Sequence, residues 1–155
     1  MAGNEIKVAF VQKVIFDATH ALQAVLESRV WWRTPGTTTL EFEQAFASFH
    51  GAQYGIAVTN GTAALEVTLA ALGIKSGDEV IVPNFTFVAT ASAVLFANAL
   101  PVLVDVSART HCIDPDLAEA AITPRTKAII AVHMIFVAAA SSTWPWTRCP
   151  LRTRI

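Results

Sequence analysis

The sequence lacks the features that mark secreted, membrane and nucleic-acid-binding proteins. It has only two cysteines, Cys112 and Cys149, and no CxxC spacing, so neither a metal site nor a disulfide framework is predicted. No apolar run reaches the roughly 18 residues of a spanning helix, and no signal peptide is recognisable at the start. Eleven basic and 12 acidic residues give a formal charge of -1, without a basic surface for nucleic acid. We therefore expect a cytoplasmic protein with neither a membrane nor nucleic acid as a partner.

Apolar residues are abundant instead. They make up 54% of the 155 residues, enough for the core of one domain or of part of a larger one. Helical spacing of apolar residues predicts a first helix over 17–30, with Asp17 as its N-cap, and a second helix over 39–49. Pro35 interrupts helical structure, so residues 31–36 are predicted to form a loop.

From residue 54 onward, short apolar segments alternate with helical ones. The predicted order is strand 54–59, helix 62–72, strand 79–82, helix 87–97, strand 102–106, helix 115–121 and strand 128–132. This alternation predicts an α/β fold with a mostly parallel sheet and helices on both faces. The ends of the first two strands should meet at the carboxyl edge, where open α/β folds bind ligands.

The last 21 residues do not continue this pattern. Residues 135–155 have neither a period of 2 nor one of 3.6, and they combine Trp144, Pro145 and Trp146 with three arginines. We expect this tail to be non-native or disordered, for instance the product of a frameshift. The predicted organisation is therefore a truncated domain over 1–134 followed by an atypical segment over 135–155.

A polar elbow at residues 59–62 joins the first predicted strand to the next helix. Gly61 allows close approach to the backbone, and Thr62 adds a hydroxyl to the free amides of the helix start. Such an elbow suits a phosphate group. The expected amide donors are those of Thr62, Ala63 and Ala64. The alternative is that Asn60 and Thr62 only cap the helix; neither GxGxxG nor a P-loop is present.

Two aromatic residues follow the second predicted strand at the same edge. An aromatic ring at this edge would suit stacking on a planar cofactor. Of the pair Phe85 and Phe87, one is expected to point inward from an extended segment, and we assign that core position to Phe85.

Several ordered blocks of the sequence resemble one enzyme family. They are VTNGTAALEV at 58–67, GDEVIVPNFTFVAT at 77–90, PVLVDV at 101–106 and AAITPRTKAIIAVH at 120–133. With the Trp-Trp-Arg loop before them, they resemble the DegT/DnrJ/EryC1/StrS aminotransferases. These are fold type I enzymes that use pyridoxal 5'-phosphate to aminate keto-sugars and keto-cyclitols. The loop is most similar to the aminocyclitol and aminohydroxybenzoate-type synthases. The resemblance implies the N-terminal part of the large domain.

By matching position, the resemblance implies roles for six residues. Gly61, Thr62 and Ala63 would bind the cofactor phosphate, Phe87 would stack on the pyridine ring, and Trp32 and Arg33 would approach the substrate. An alternative for Trp31 and Trp32 is that they pack helix against sheet. His133 matches a histidine at the end of a family strand, where a structural role is more common than acid or base catalysis.

The resemblance also identifies what the chain does not match. Transamination needs a lysine that holds the cofactor covalently and an acidic partner for its pyridine nitrogen. None of the four lysines, Lys7, Lys13, Lys75 and Lys127, matches the family position. No catalytic residue is therefore assigned.

We accordingly expect a fragment that is inactive by itself. The resemblance implies that the intact enzyme is a homodimer that transfers an amino group from glutamate or glutamine. The alternatives are a non-catalytic module that binds a phosphate ligand or nucleotide, and a regulatory or interaction protein built on a decayed enzyme fold.

Overall fold

The computed structural model describes residues 18–134, in two compact units that divide between Ala57 and Val58. The expectations for Asp17 and for residues 135–155 lie outside the described residues. Within them, no helix is both long and apolar enough to cross a membrane.

The first unit contains two helices, α1 (18–28) and α2 (Thr38–Phe49). Both helices were predicted, but the buried face of α2 was not. This helix buries Glu43 and Ala47, whereas the phenyl rings of Phe42, Phe46 and Phe49 are exposed. A carboxylate thus occupies the inner face of α2.

The second unit is an α/β layer structure. Its elements are α3 (Gly61–Ala71), β1 (Glu79–Pro83), α4 (Ala89–Phe96), β2 (Leu100–Val104), α5 (Pro115–Ala120) and β3 (Thr126–Ile129). Both strand pairs are parallel, in the order β2-β1-β3. The central strand, β1, is buried along its whole length. The predicted α/β fold with a parallel sheet is confirmed.

Helices cover both faces of this sheet. Successive side chains of β1 point to opposite faces, so each face has its own apolar core. On one face, α3 and α4 contribute Leu69 and Val94 to a core that includes Val80 and Val82. On the other face, Ile81 packs in a cluster that also contains Val104, Ile113, Ala118 and Ile129. The predicted flanking helices are therefore confirmed.

The predicted strand at 54–59 is wrong. No strand of the described sheet pairs with these residues, and a strand requires a ladder of hydrogen bonds to a neighbour. Tyr54 and Ile56 are instead exposed. Their apolar alternation is typical of a strand, but pairing depends on other parts of the chain and not on local pattern.

The bounds of two strands also differ from the prediction: β2 lies two residues before the predicted 102–106, and β3 begins two residues and ends three residues before the predicted 128–132. The second strand, β2, ends at Val104; beyond it the Asp105 Oδ1 atom accepts the Val106 N–H at 2.8 Å, and Val106 forms an isolated antiparallel bridge with Ile113. The third strand, β3, begins at Thr126, directly after the Arg125 carbonyl accepts the Glu79 N–H at 2.9 Å.

The Glu79 carboxylate is buried at the amino edge of the sheet. It accepts hydrogen bonds from the Thr123 hydroxyl and from Arg125, whose Nε lies 2.8 Å from Oε1. These hydrogen bonds lower the pKa of Glu79, and the bond from the Thr123 hydroxyl contributes most. The carboxylate thereby fastens the loop before β3 to the start of β1.

Candidate functional site

The elbow at residues 59–62 forms the N-terminus of α3. Asn60 is extended, and its Oδ1 atom accepts the Ala63 N–H at 2.9 Å. Its carbonyl oxygen accepts the Ala64 N–H at 3.1 Å. The capping role considered for Asn60 is therefore confirmed, and two of the three amides expected to face a phosphate donate inside the helix. Among the described residues, the amides of Gly61 and Thr62 have no acceptor.

The position of a side chain at Gly61 is open. A Cβ atom added there would meet no atom within 4 Å apart from its chain neighbours and the backbone of its own helix, and the residue does not have a positive φ. Neither crowding nor backbone conformation therefore requires glycine, although glycine within a helix is about 1 kcal/mol less favourable than alanine. The helix dipole adds positive potential at this point. Open space, two amides and the dipole together fit a phosphate group.

The segment 84–88 lies at the carboxyl edge of the sheet, between β1 and α4. The Asn84 N–H donates to the Val104 carbonyl at 2.7 Å and so extends the pairing of β1 with β2. At the other end of β1, Ile74 follows α3 and packs with Leu69 and Val80. Because α3 ends near the start of β1, its N-terminus points towards the same carboxyl edge.

The predicted core position of Phe85 is wrong. This ring is 53% exposed and lies 6.0 Å from the His111 ring, and Phe87 is 76% exposed. Residues 84–86 form a bend and not an extended segment, so alternation of sides does not place one of the two rings in the core. Thr86, between them, points inward instead, and its hydroxyl lies 2.9 Å from that of buried Thr90. Both aromatic rings are therefore exposed at the carboxyl edge of the sheet.

In the first unit, Arg33 is bound by a residue that the sequence analysis missed. Its Nη2 atom lies 2.8 Å from Oε2 of Glu43, which is 4% exposed. The other oxygen of Glu43 accepts the Ala57 N–H at 2.9 Å. The hydrogen bond from Arg33 contributes most to lowering the pKa of Glu43, followed by the hydrogen bond from the Ala57 amide. Glu43 in turn raises the pKa of Arg33.

The tryptophans before Arg33 do not pack in a core. Trp31 and Trp32 are each 66% exposed, so neither is part of a core within the first unit, and the alternative that they pack helix against sheet stays a prediction. Glu43 had a recognisable signal: it lies four residues before a small residue, Ala47, on one helix face. An arginine stands in the preceding loop, as expected of a buried carboxylate with its counter-ion.

The remaining charged candidates lie away from the elbow or at strand ends. Lys75 precedes β1, and Lys127 is the second residue of β3, so both lie towards the edge where strands begin. Asp105 directly follows β2, although the predicted strand over 102–106 included it. His133 is exposed beyond β3. Lys7 and Lys13 lie outside the described residues.

Comparisons with known proteins agree with the predicted resemblance. The model of the DegT/DnrJ/EryC1/StrS aminotransferase family matches residues 13–141. The chain is 48% identical to 3-amino-5-hydroxybenzoate synthase of Amycolatopsis mediterranei, and the match covers 74% of this chain and 30% of that protein. It is 54% identical to UDP-2-acetamido-2-deoxy-3-oxo-D-glucuronate aminotransferase of Pseudomonas aeruginosa, covering 64% of this chain and 28% of that one.

A solved structure is similar as well. The crystal structure of NtdA from Bacillus subtilis, with bound cofactor PMP, matches with a TM-score of 0.72 and 40% identity. The match covers 77% of this chain and 27% of that one. The chain thus spans less than a third of the length of these relatives.

Proposed function

The chain belongs to the DegT/DnrJ/EryC1/StrS aminotransferase family, and we propose that it is the part of a sugar or cyclitol aminotransferase that holds the phosphate of pyridoxal 5'-phosphate. The observation that carries this proposal is the start of α3 at Gly61 and Thr62, here called the cradle, where neither amide has an acceptor among the described residues and the space at an added Gly61 Cβ is open. NtdA, which is similar in fold and sequence, binds the phosphorylated cofactor PMP.

Each proposed residue has a distinct task. The amides of Gly61 and Thr62 donate to the phosphate, and the Thr62 hydroxyl adds a third donor. Ala63 contributes its amide only by leaving Asn60, which holds it at 2.9 Å. Phe87, exposed at the same edge, covers one face of the pyridine ring. When bound, the cofactor supplies the electron sink for amino-group transfer.

Family membership and the names of the relatives support a proposal for the substrate and the amino donor. We propose a keto-sugar or keto-cyclitol as amino acceptor, glutamate or glutamine as amino donor, and a homodimer for the intact enzyme. Trp32 and Arg33 are proposed to approach the acceptor. For Arg33 this role competes with Glu43, which already binds its guanidinium. A cytoplasmic location is proposed on the same basis.

We also propose that this 155-residue chain binds the cofactor without turning it over. No lysine lies at the carboxyl edge among the residues that the structure describes, and an activated lysine is needed for the reaction. The purified chain, titrated with pyridoxal phosphate, should show saturable binding without transamination of glutamate. Borohydride should not fix the cofactor to a single lysine. Stoichiometric fixation to one lysine would contradict the proposal.

The same cradle also suits a non-catalytic phosphate-binding module, and the choice of ligand separates the two functions. An aminotransferase site should bind pyridoxal phosphate at least about tenfold more tightly than inorganic phosphate, because Phe87 contacts the ring. Phe87→Leu should remove most of that preference. Equal affinity for both ligands would favour the module.

A further inference from the structure

The segment that leads into the elbow is held by α2 and not by a sheet. Residues 54–57 have no strand partner among the described residues, yet two contacts fix their backbone. The Ala57 N–H donates to Oε1 of Glu43 at 2.9 Å. At Gly55, an added Cβ would lie 2.5 Å from the Glu43 carbonyl oxygen, so the chain passes closely over the helix.

Glu43 is thus bound from two directions. One oxygen takes the Ala57 amide and the other takes Nε and Nη2 of Arg33, at 3.3 and 2.8 Å. The carboxylate is 4% exposed, whereas the Arg33 side chain is 60% exposed. A buried carboxylate needs its partners, because it has lost its contact with water. Arg33 therefore neutralises the group that holds Ala57.

We infer that Glu43 is a positioning residue for the phosphate site: by binding the Ala57 amide it orders the backbone that enters the elbow at Gly61. Only three residues, 58–60, separate the clamped amide from Gly61. A fixed backbone at Ala57 limits the positions open to so short a connection, whose fully extended length is about 10 Å. The effect on cofactor binding depends on the proposed function, whereas the effect on backbone order does not.

Two variants separate the contribution of the hydrogen bond from that of the charge. Glu43→Gln retains an oxygen that accepts the Ala57 N–H, and Glu43→Ala removes it. The control is Glu79→Ala, because Glu79 is also a buried carboxylate paired with an exposed arginine, but at the amino edge of the sheet. All three changes are expected to lower the melting temperature, so this readout does not identify the positioning effect.

The first measurement is the amide ¹⁵N order parameter of residues 58–61 in the full chain without ligand. In Glu43→Ala we expect it to fall from about 0.85 to below about 0.6. Glu43→Gln and Glu79→Ala should retain the higher value. Unchanged order in Glu43→Ala, or an equal fall in Glu79→Ala, would overturn the inference.

The second measurement is the affinity for pyridoxal phosphate at a temperature where every variant is folded. Glu43→Ala should weaken binding about tenfold, and Glu43→Gln should restore most of the affinity. If the wild-type chain does not bind the cofactor, the proposed function fails. The order parameters alone then test whether Glu43 orders the backbone of residues 58–61. Wild-type affinity in Glu43→Ala would overturn the positioning role.

Discussion

Gly61→Asp should weaken binding of pyridoxal phosphate at least about 100-fold without destabilising the fold. The new carboxylate fills the open space beside the amides of Gly61 and Thr62. Two like charges 4 Å apart repel by about 4 kcal/mol at an effective dielectric constant of 20. The same carboxylate lies at the positive end of α3, where a negative charge contributes about 0.3–1 kcal/mol of stability. Cofactor titration and thermal unfolding of the same preparation check the expected loss of affinity and the expected gain in stability.

Gly61→Asn is the matched control for this substitution. Asparagine has nearly the same volume as aspartate and no charge, so it separates filling the cradle from repelling the phosphate. We expect a loss of about tenfold, smaller than that of Gly61→Asp. If Gly61→Asp binds the cofactor as tightly as the wild type, the phosphate does not bind at this elbow.

Leu69→Ala should lower the free energy of unfolding by about 3 kcal/mol, the largest stability effect expected from one change in α3. Leu69 is fully buried and packs with Val80, Val82 and Val94, so its removal leaves a cavity between helix and sheet. Urea denaturation followed by circular dichroism measures the change.

Val67→Ala provides the comparison on the same helix. Val67 is half exposed, and its truncation should change the free energy of unfolding by less than about 1 kcal/mol. Equal stability of the Leu69→Ala and Val67→Ala variants would show that α3 does not pack on the sheet in solution. The orientation of the elbow would then lose its structural support.

Local pattern predicted the second unit well. Asn60 before a helix and the Asp114-Pro115 pair mark helix starts that the structure places at Gly61 and Pro115. Asp114 caps its helix through bonds from the amides of Asp116 and Leu117. The strand at Glu79–Pro83 is recognisable because a central parallel strand is apolar on both faces.

Features that depend on distant residues were not predictable in this way. Residues 54–59 alternate like a strand, but a carboxylate on α2 takes the Ala57 amide that a neighbouring strand would otherwise bind. Phe85 is expected in the core because one of two aromatics in an extended segment should point inward, whereas residues 84–86 are bent and the Thr86 hydroxyl lies 2.9 Å from that of buried Thr90. The first error arises because the partner of the Ala57 amide lies 14 residues away, and the second because the apolar pattern does not reveal the bend at residues 84–86.

The candidate site was predictable in its location and less so in its donors. Sequence alone placed the elbow and Phe87 at one edge of the sheet. It could not show that Asn60 uses the Ala63 amide, which shifts the expected phosphate donors to Gly61 and Thr62. The role of Glu43 follows only from the distances to Arg33 and Ala57.

The most direct test of the central claim is amide chemical-shift mapping of the full chain with three ligands. The phosphate site predicts that the Gly61 and Thr62 amides shift with pyridoxal phosphate and with inorganic phosphate, but not with unphosphorylated pyridoxal. If pyridoxal phosphate binds to saturation and these two amides do not shift, the phosphate binds elsewhere and the account is contradicted.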